Sequence, residues 1–174
     1  PPAVKDGIAP TGYCSLHVPR RPDAPHPRGG GLGLIHRSDI HITPHPLSAT
    51  IQPFSSFELQ LVKLSSVTPP VTIANVYRPP SMSLNVFLDE FDTFLAILTS
   101  AGDDRLILCG DVNAPSTVPS AVHPDLMELL STHDLAQYVP SPTRGNNLRD
   151  VFITTQQSSP ASIRVDDAGC ISDH

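Results

Sequence analysis

Two short polar segments have residue types suited to hydrolysis of a phosphodiester. One follows a predicted buried strand, and the other comprises the last three residues of the sequence. Residues 110–113 read GDVN after an apolar run, and residues 172–174 read SDH. A carboxylate can orient a water or bind a cation, and an amide can hold a phosphate oxygen. In extended backbone Asp111 and Asn113 would point the same way. The alternatives are an Asx turn at the strand end for 110–113 and a polar loop for 172–174.

Two further segments, between these in the chain, could contact a phosphate. Residues 75–80 read NVYRPP and put the Tyr77 phenol at a strand end, where it could donate to a phosphate oxygen, although the segment taken alone favours an ordinary strand-end tyrosine. Residues 142–150 read PTRGNNLRD; within them, residues 143–147 supply a hydroxyl, a guanidinium and two amides before Asp150. This loop could also be a simple polar turn, yet its groups are typical phosphate contacts.

Other chemistries fit the sequence less well. Neighbouring residues of the SDH segment cannot form a serine-hydrolase triad, and no G-x-S-x-G elbow is present. His36, His41 and His45 lack nearby cysteines or acids at ligand spacing, so we interpret them as exposed loop histidines. Gly29, Gly30 and Gly31 match no nucleotide-binding motif and predict a turn.

Composition indicates one globular domain over residues 1–174, with 39% hydrophobic residues and an unusual 20 prolines. The formal charge of −6 argues against a protein that simply coats nucleic acid. Three widely spaced cysteines indicate a reducing compartment, without a disulfide framework. No membrane span and no secretion signal is visible, so we expect an intracellular protein, nuclear or cytoplasmic.

The apolar pattern predicts strands and helices that would position the polar segments. Ser83 is the expected N-cap of a helix with apolar residues at helical spacing from Leu84 to Leu98, which ends at Ala101-Gly102. A second helix is expected over 125–132. The predicted strands are 32–36, 57–64, 71–77, 106–109 and 151–153. This order predicts an α/β layered domain.

Five segments in this order, GGGLGLIHR, NVYRPP, GDVN, PTRGNNLRD and SDH, carry a resemblance that covers residues 29 to 174. The chain resembles the endonuclease/exonuclease/phosphatase superfamily and, within it, the endonuclease domain of non-LTR (LINE-type) retrotransposons. The PTRGNN loop favours the retrotransposon enzymes over the phosphatase branch. The resemblance implies a DNase I-like fold, a two-sheet α/β sandwich flanked by helices.

The resemblance also implies a reaction and a role for each matching residue. The reaction would be Mg²⁺-dependent (or Mn²⁺-dependent) nicking of DNA that leaves a 3′ hydroxyl for target-primed reverse transcription, with a reverse transcriptase domain in the same full-length polypeptide. Tyr77 and Asn113 would contact the scissile phosphate, and Asp111 would orient or deprotonate the attacking water. Asp150 would orient His174, and His174 would stabilise the transition state. The metal would lie near Asp173, and supporting substrate contacts would come from Arg78, Thr143, Arg144 and Ser172.

The chain departs from the family pattern at several points, and these departures leave alternative functions open. The early asparagine, the main metal-binding glutamate and the last strand of the family would lie outside residues 1–174, so we expect an incomplete version of the fold. Arg149 stands where an apolar residue is usual, which predicts a charge at a core position. The alternatives to a DNA endonuclease are a host abasic-site or phosphoester hydrolase of the same superfamily and an inactive remnant without the metal-binding glutamate.

Overall fold

The computed structural model describes residues 9–20, 31–51, 53–102, 105–114, 116–118 and 121–166. Its strands are β1 (Tyr13–Pro19), β2 (Gly31–Arg37), β3 (Ile42–Pro44), β4 (Glu58–Leu64), β5 (Val71–Tyr77), β6 (Leu106–Asp111), β7 (Leu135–Gln137) and β8 (Asp150–Thr155). The helices are α1 (Leu84–Ser100) and α2 (Pro124–Thr132), with 3₁₀ turns at Pro46–Ala49 and Gln156–Ser158. No helix of the described ranges is long and apolar enough to cross a membrane.

The strands form two sheets. β1 and β2 make an antiparallel pair, and the other six lie in the order β3-β4-β5-β6-β8-β7. Among the strands of the described residues, only β5 and β6 pair in parallel, and α1 is the crossover between them. The predicted α/β fold with two sheets and outer helices is confirmed.

Side chains and backbone join the small sheet to the large one. On β4, Gln60 donates its side-chain amide to the Leu16 carbonyl of β1 at 3.1 Å. At the end of β1, Arg20 forms an ion pair with Glu58 (Nε to Oε1, 2.5 Å), and both side chains are about 15% exposed. The Arg20 guanidinium also lies over the Tyr77 ring, 5.5 Å from its centroid. The small sheet therefore reaches the end of β5, where the candidate site begins.

The core lies between the large sheet and the two helices. Helix α1 buries one face, and the residues of that face form a single hydrophobic core with residues of α2 and of the large sheet. The core includes Phe87, Phe91, Phe94, Leu95, Leu98, Leu126, Leu130, Ala74, Val76, Leu108 and Ile153. Phe57, just before β4, stacks on Phe54 with ring centroids 4.5 Å apart. Burying aromatic side chains of this kind is a leading source of folding free energy.

Sequence and structure differ at several elements. The predicted strand 106–109 continues to Asp111, and 151–153 extends to 150–155, so both aspartates belong to strand ends. Ser83 occupies the N-cap position of α1, but its side chain makes no capping hydrogen bond. Strands β1, β3 and β7 were not predicted.

Candidate active site

Three of the predicted site residues meet at one edge of the large sheet. β6 and β8 pair with Asp111 directly opposite Asp150. β5 runs parallel to β6, and just beyond the strand the Arg78 backbone N–H donates to the Asp111 carbonyl at 2.9 Å. Tyr77, Asp111 and Asp150 therefore stand at the ends of three neighbouring strands. Side chains directly opposite in an antiparallel pair have Cβ atoms about 5 Å apart, which brings the two carboxylates close together.

A glycine permits the close packing of β5 and β6 beside these residues. Gly110 has a φ of +129°, and a Cβ atom there would lie 2.0 Å from the carbonyl oxygen of Val76. No other residue could accept both the backbone conformation and the approach of the neighbouring strand. Gly110 thus sets the path on which Asp111 leaves the sheet.

The turn after β6 differs from the extended backbone expected for residues 111–113. Asn113 has a φ of +44°, and its backbone N–H donates to Asp111 Oδ1 at 3.0 Å. This is the Asx turn that the sequence offered as the alternative. The prediction that extended backbone points both side chains the same way is wrong, because the chain turns at Asn113.

The Asn113 side chain is held on both sides. Its Nδ2 donates to the Arg78 carbonyl at 3.0 Å, and its Oδ1 accepts a hydrogen bond from Arg149 Nη1, also at 3.0 Å. Asn113 is only 6% exposed. The amide is thus a fixed group beside Asp111, and any contact with a substrate would be made by a narrow part of its surface.

Arg78 lies inside the protein. It is 5% exposed, and its guanidinium donates to three backbone carbonyls: Val112 at 2.8 Å, Met82 and Asn113. Burial lowers the pKa of Arg78, and attraction to Asp111 opposes that effect. This placement favours a role in holding the 111–113 turn over the predicted contact with substrate.

The predicted phosphate-contact loop is compact and holds the start of β8. The backbone N–H of Thr143 bonds the Asn147 carbonyl at 3.0 Å, and Gly145 takes a φ of +58° at the tip. The Thr143 hydroxyl oxygen accepts hydrogen bonds from the backbone N–H groups of Arg149 and Asp150, both at 3.1 Å. Thr143 thereby anchors Asp150. Arg144 lies in the same loop, half-buried.

Arg149 was expected as a charge at a core position, and sequence reasoning missed its partner. The side chain is half-buried, and its contact with the Asn113 amide joins the β8 side of the site to the turn after β6. No local pattern could reveal this contact, because the two residues are 36 positions apart.

A thiol nucleophile is disfavoured at this edge. Cys109 precedes Gly110 on β6, and burial raises the pKa of its thiol. Since the thiolate is the reactive form, this cysteine is expected to be inert. The site therefore offers carboxylate, phenol and amide groups.

The donor set at this edge suits a magnesium ion in part. Mg²⁺ is usually held by one or two carboxylates together with phosphate oxygens and waters. Asp111 and Asp150 supply two carboxylates, while no group of three or more His, Cys, Asp or Glu in the described ranges could hold a metal alone. Ser172, Asp173 and His174 lie outside the described residues, so their predicted roles stay predictions.

Comparison with known proteins identifies the family. A model of the endonuclease-reverse transcriptase family matches residues 71–174, which include every residue assigned to the site. The chain belongs to this family. A search of curated proteins found no match.

Solved structures show the fold that this family member shares. The endonuclease domain of TRAS1, a telomere-specific non-LTR retrotransposon, superposes with a TM-score of 0.60 at 19% identity, over 84% of this chain and 68% of that one. A mannosyl-6-phosphatase of Bacteroides thetaiotaomicron gives 0.56 at 13% identity, over 84% and 64%. The catalytic domain of human Nocturnin gives 0.54 at 17% identity, over 83% and 61%. The predicted DNase I-like fold is confirmed, and the family is one of hydrolytic enzymes.

Proposed function

We propose that this member of the endonuclease-reverse transcriptase family is a Mg²⁺-dependent endonuclease that nicks DNA and leaves a 3′ hydroxyl for a linked reverse transcriptase. The single observation that carries the proposal is the convergence of Tyr77, Asp111 and Asp150 at one sheet edge. The match to an endonuclease-reverse transcriptase family over residues 71–174 supports the choice of DNA over other phosphoesters.

A divalent cation is compatible with the charges at this edge. Two carboxylates lie directly opposite on paired strands, and a cation beside them would offset their repulsion of a phosphate backbone. Asp173, as predicted, would hold it, with the carboxylates of Asp111 and Asp150 close by. When bound, the metal would supply Lewis-acid stabilisation of charge on the phosphate.

The chain's own residues would carry the proton transfers and the orientation. Asp111 accepts a proton from the attacking water, whose oxygen forms a bond to phosphorus while the bond from phosphorus to O3′ breaks. The leaving O3′ takes up a proton, which yields a 3′ hydroxyl and a 5′ phosphate. Tyr77 donates to a non-bridging phosphate oxygen, and His174, oriented by Asp150, stabilises the charge that develops there.

The backbone around these groups supports their positions. The Asx turn between Asp111 Oδ1 and the Asn113 N–H orients the carboxylate, and the Thr143 hydroxyl holds the first residue of β8. Preorganised groups of this kind need little rearrangement at the moment of reaction, which is the main physical source of such catalysis.

The proposal is tested by incubating the protein with supercoiled plasmid and Mg²⁺ and measuring conversion to the open circle. Asp150→Asn should abolish conversion, whereas Asp166→Asn, an exposed aspartate paired with Arg164, should not change it. A DNA polymerase should extend the nicks without prior end repair. Preference for an abasic oligonucleotide or a sugar phosphate over intact plasmid would replace the proposal with the corresponding hydrolase.

A further inference from the structure

We propose that Arg149 is a positioning residue that fixes the side-chain amide of Asn113 so that one of its N–H bonds is presented to the scissile phosphate. The inference rests on the proposed function, because it assigns Arg149 a part in the phosphate contact expected of Asn113. It goes beyond that function, since Arg149 had been expected only as a charge in a core position.

The hydrogen bonds leave one orientation for the Asn113 amide. A guanidinium can only donate, so the atom of Asn113 that faces Arg149 Nη1 at 3.0 Å must be the carbonyl oxygen. A backbone carbonyl can only accept, so the atom that faces the Arg78 carbonyl at 3.0 Å must be Nδ2. The two hydrogen bonds therefore require the same orientation of the Asn113 amide. Without Arg149, the amide would keep a single anchor.

The fixed amide retains one donor for a ligand. Nδ2 carries two hydrogens, and Arg78 accepts one of them; no described residue accepts the other. The backbone N–H of Asn113 is already used by Asp111 Oδ1. The second Nδ2 hydrogen is therefore the group of Asn113 that could meet a phosphate oxygen beside Asp111.

The bonding of Arg149 itself is unlike that of a purely structural arginine. Arg78 uses its guanidinium on three backbone carbonyls. Arg149, by contrast, directs Nη1 at a side chain, while its buried Nε has no hydrogen-bond partner among the described residues. A buried donor without an acceptor opposes folding, so stability alone does not account for an arginine at this position.

Backbone hydrogen bonds hold Arg149 beside the turn that contains Asn113. Its N–H donates to Thr143 Oγ1 at 3.1 Å, and its carbonyl accepts from the Val112 N–H at 3.0 Å. The stem of Arg149 is thus tied both to the 143–147 loop and to the residue that precedes Asn113. Its guanidinium and the Asn113 amide therefore share one rigid frame.

The test combines plasmid-nicking kinetics with NMR of the Asn113 amide. The variants are Arg149→Leu, Arg149→Lys, Asn113→Ala and the Arg149→Leu/Asn113→Ala double. Arg105→Leu is the matched control, because Arg105 also donates from its guanidinium, to the Pro69 carbonyl, at the opposite end of β6, roughly 20 Å from Asp111. The NH₂ resonances of Asn113 are assigned by their loss in Asn113→Asp.

The expected result is a loss in kcat of about 10- to 100-fold in Arg149→Leu, by analogy with the range typical of residues that hydrogen-bond and orient metal ligands. KM for plasmid should stay nearly unchanged, and Arg149→Lys should recover part of the rate. In the Asn113→Ala background the same substitution should cost nothing more, because Arg149 acts through Asn113. The Asn113 NH₂ resonances should shift and exchange faster with water in Arg149→Leu but not in Arg105→Leu.

Three results would overturn the inference: an unchanged kcat in Arg149→Leu, additive losses in the double variant, or unchanged Asn113 NH₂ resonances. The NMR measurement needs no activity. If the wild-type protein does not nick DNA, the proposed function fails, and the resonances still decide whether Arg149 fixes the amide. The same spectra show whether each variant is folded.

Discussion

The position of Arg78 in the sequence, next to a candidate site residue, does not indicate that its side chain is buried. Arg78 follows Tyr77, a candidate phosphate contact, and it was expected to bind substrate as well. Alternation along the strand cannot show that its guanidinium turns inward to Met82, Val112 and Asn113. Arg78 binds the backbone of the turn that contains Asn113, so its role at the site is to hold that turn.

Arg78→Met should therefore destabilise the protein. The substitution keeps an apolar stem but leaves two buried carbonyls and a half-buried one without their donor, which should cost about 3 kcal/mol. The measurement is the free energy of unfolding in urea, with Arg105→Met as the control for a guanidinium in contact with a single exposed carbonyl. Unchanged stability together with a raised KM for plasmid would return Arg78 to the substrate contacts.

At the scale of elements, the close approach of β5 and β6 depends on Gly110. Gly110→Ala places a methyl group 2.0 Å from the Val76 carbonyl oxygen, so one strand must move. We expect a loss of stability well above the 1–2 kcal/mol that a left-handed conformation alone costs, measured as a lowered Tm.

Gly145→Ala is the matched control for this effect. Gly145 also has a positive φ, +58°, but a Cβ atom there would meet nothing within 4 Å. It should cost only about 1 kcal/mol. Equal losses in the two variants would contradict the account of β5 and β6.

Another element contact gives a dependence on pH. Glu90 of α1 accepts hydrogen bonds from the backbone N–H and hydroxyl groups of Ser55 and Ser56, at 2.5 to 2.9 Å. Burial alone would raise the pKa of Glu90, but the bonds from Ser56 and Ser55 together lower it below the ordinary 4.5. A lowered folded-state pKa means that the contact stabilises the fold above the unfolded pKa and loses that effect as pH falls through the folded one.

Glu90→Gln should therefore lower the Tm at pH 7, and the difference from wild type should shrink as the pH falls below about 4. Glu128→Gln, at an exposed position on α2, serves as the control and should change little at either pH. The measurement is Tm across the acid range. A difference that grows towards low pH would have the wrong sign for this contact.

Elements with strong apolar periodicity could be predicted from the sequence, and the others could not. α1 and β5 were predicted nearly to the residue, since each buries a continuous face. β1 carries no fully buried residue, and β3 and β7 are three residues long. Short or exposed strands form because a partner strand offers hydrogen bonds, and local sequence does not record that partner.

At the scale of the whole molecule, the site depends on sheet register. Residue types alone indicated Asp111 and Asn113 as candidate site residues but were equally compatible with an Asx turn. The structure contains that turn. The pairing of Asp111 with Asp150 joins positions 39 apart in sequence. The family resemblance assigned both residues to one site but did not predict that their strands pair. The Arg149 contact with Asn113 had no signal at all, because it departs from the family pattern.

The central claim is that the carboxylate of Asp111 activates water against a DNA phosphodiester. The most direct measurement is the rate at which Asp111→Asn nicks supercoiled plasmid in Mg²⁺, compared with the wild-type protein. Asparagine keeps the shape and an oxygen that can accept the turn's hydrogen bond from Asn113, but it cannot take a proton from water. We predict a folded variant whose rate falls by at least about 100-fold. Nicking at the wild-type rate by Asp111→Asn would contradict the account.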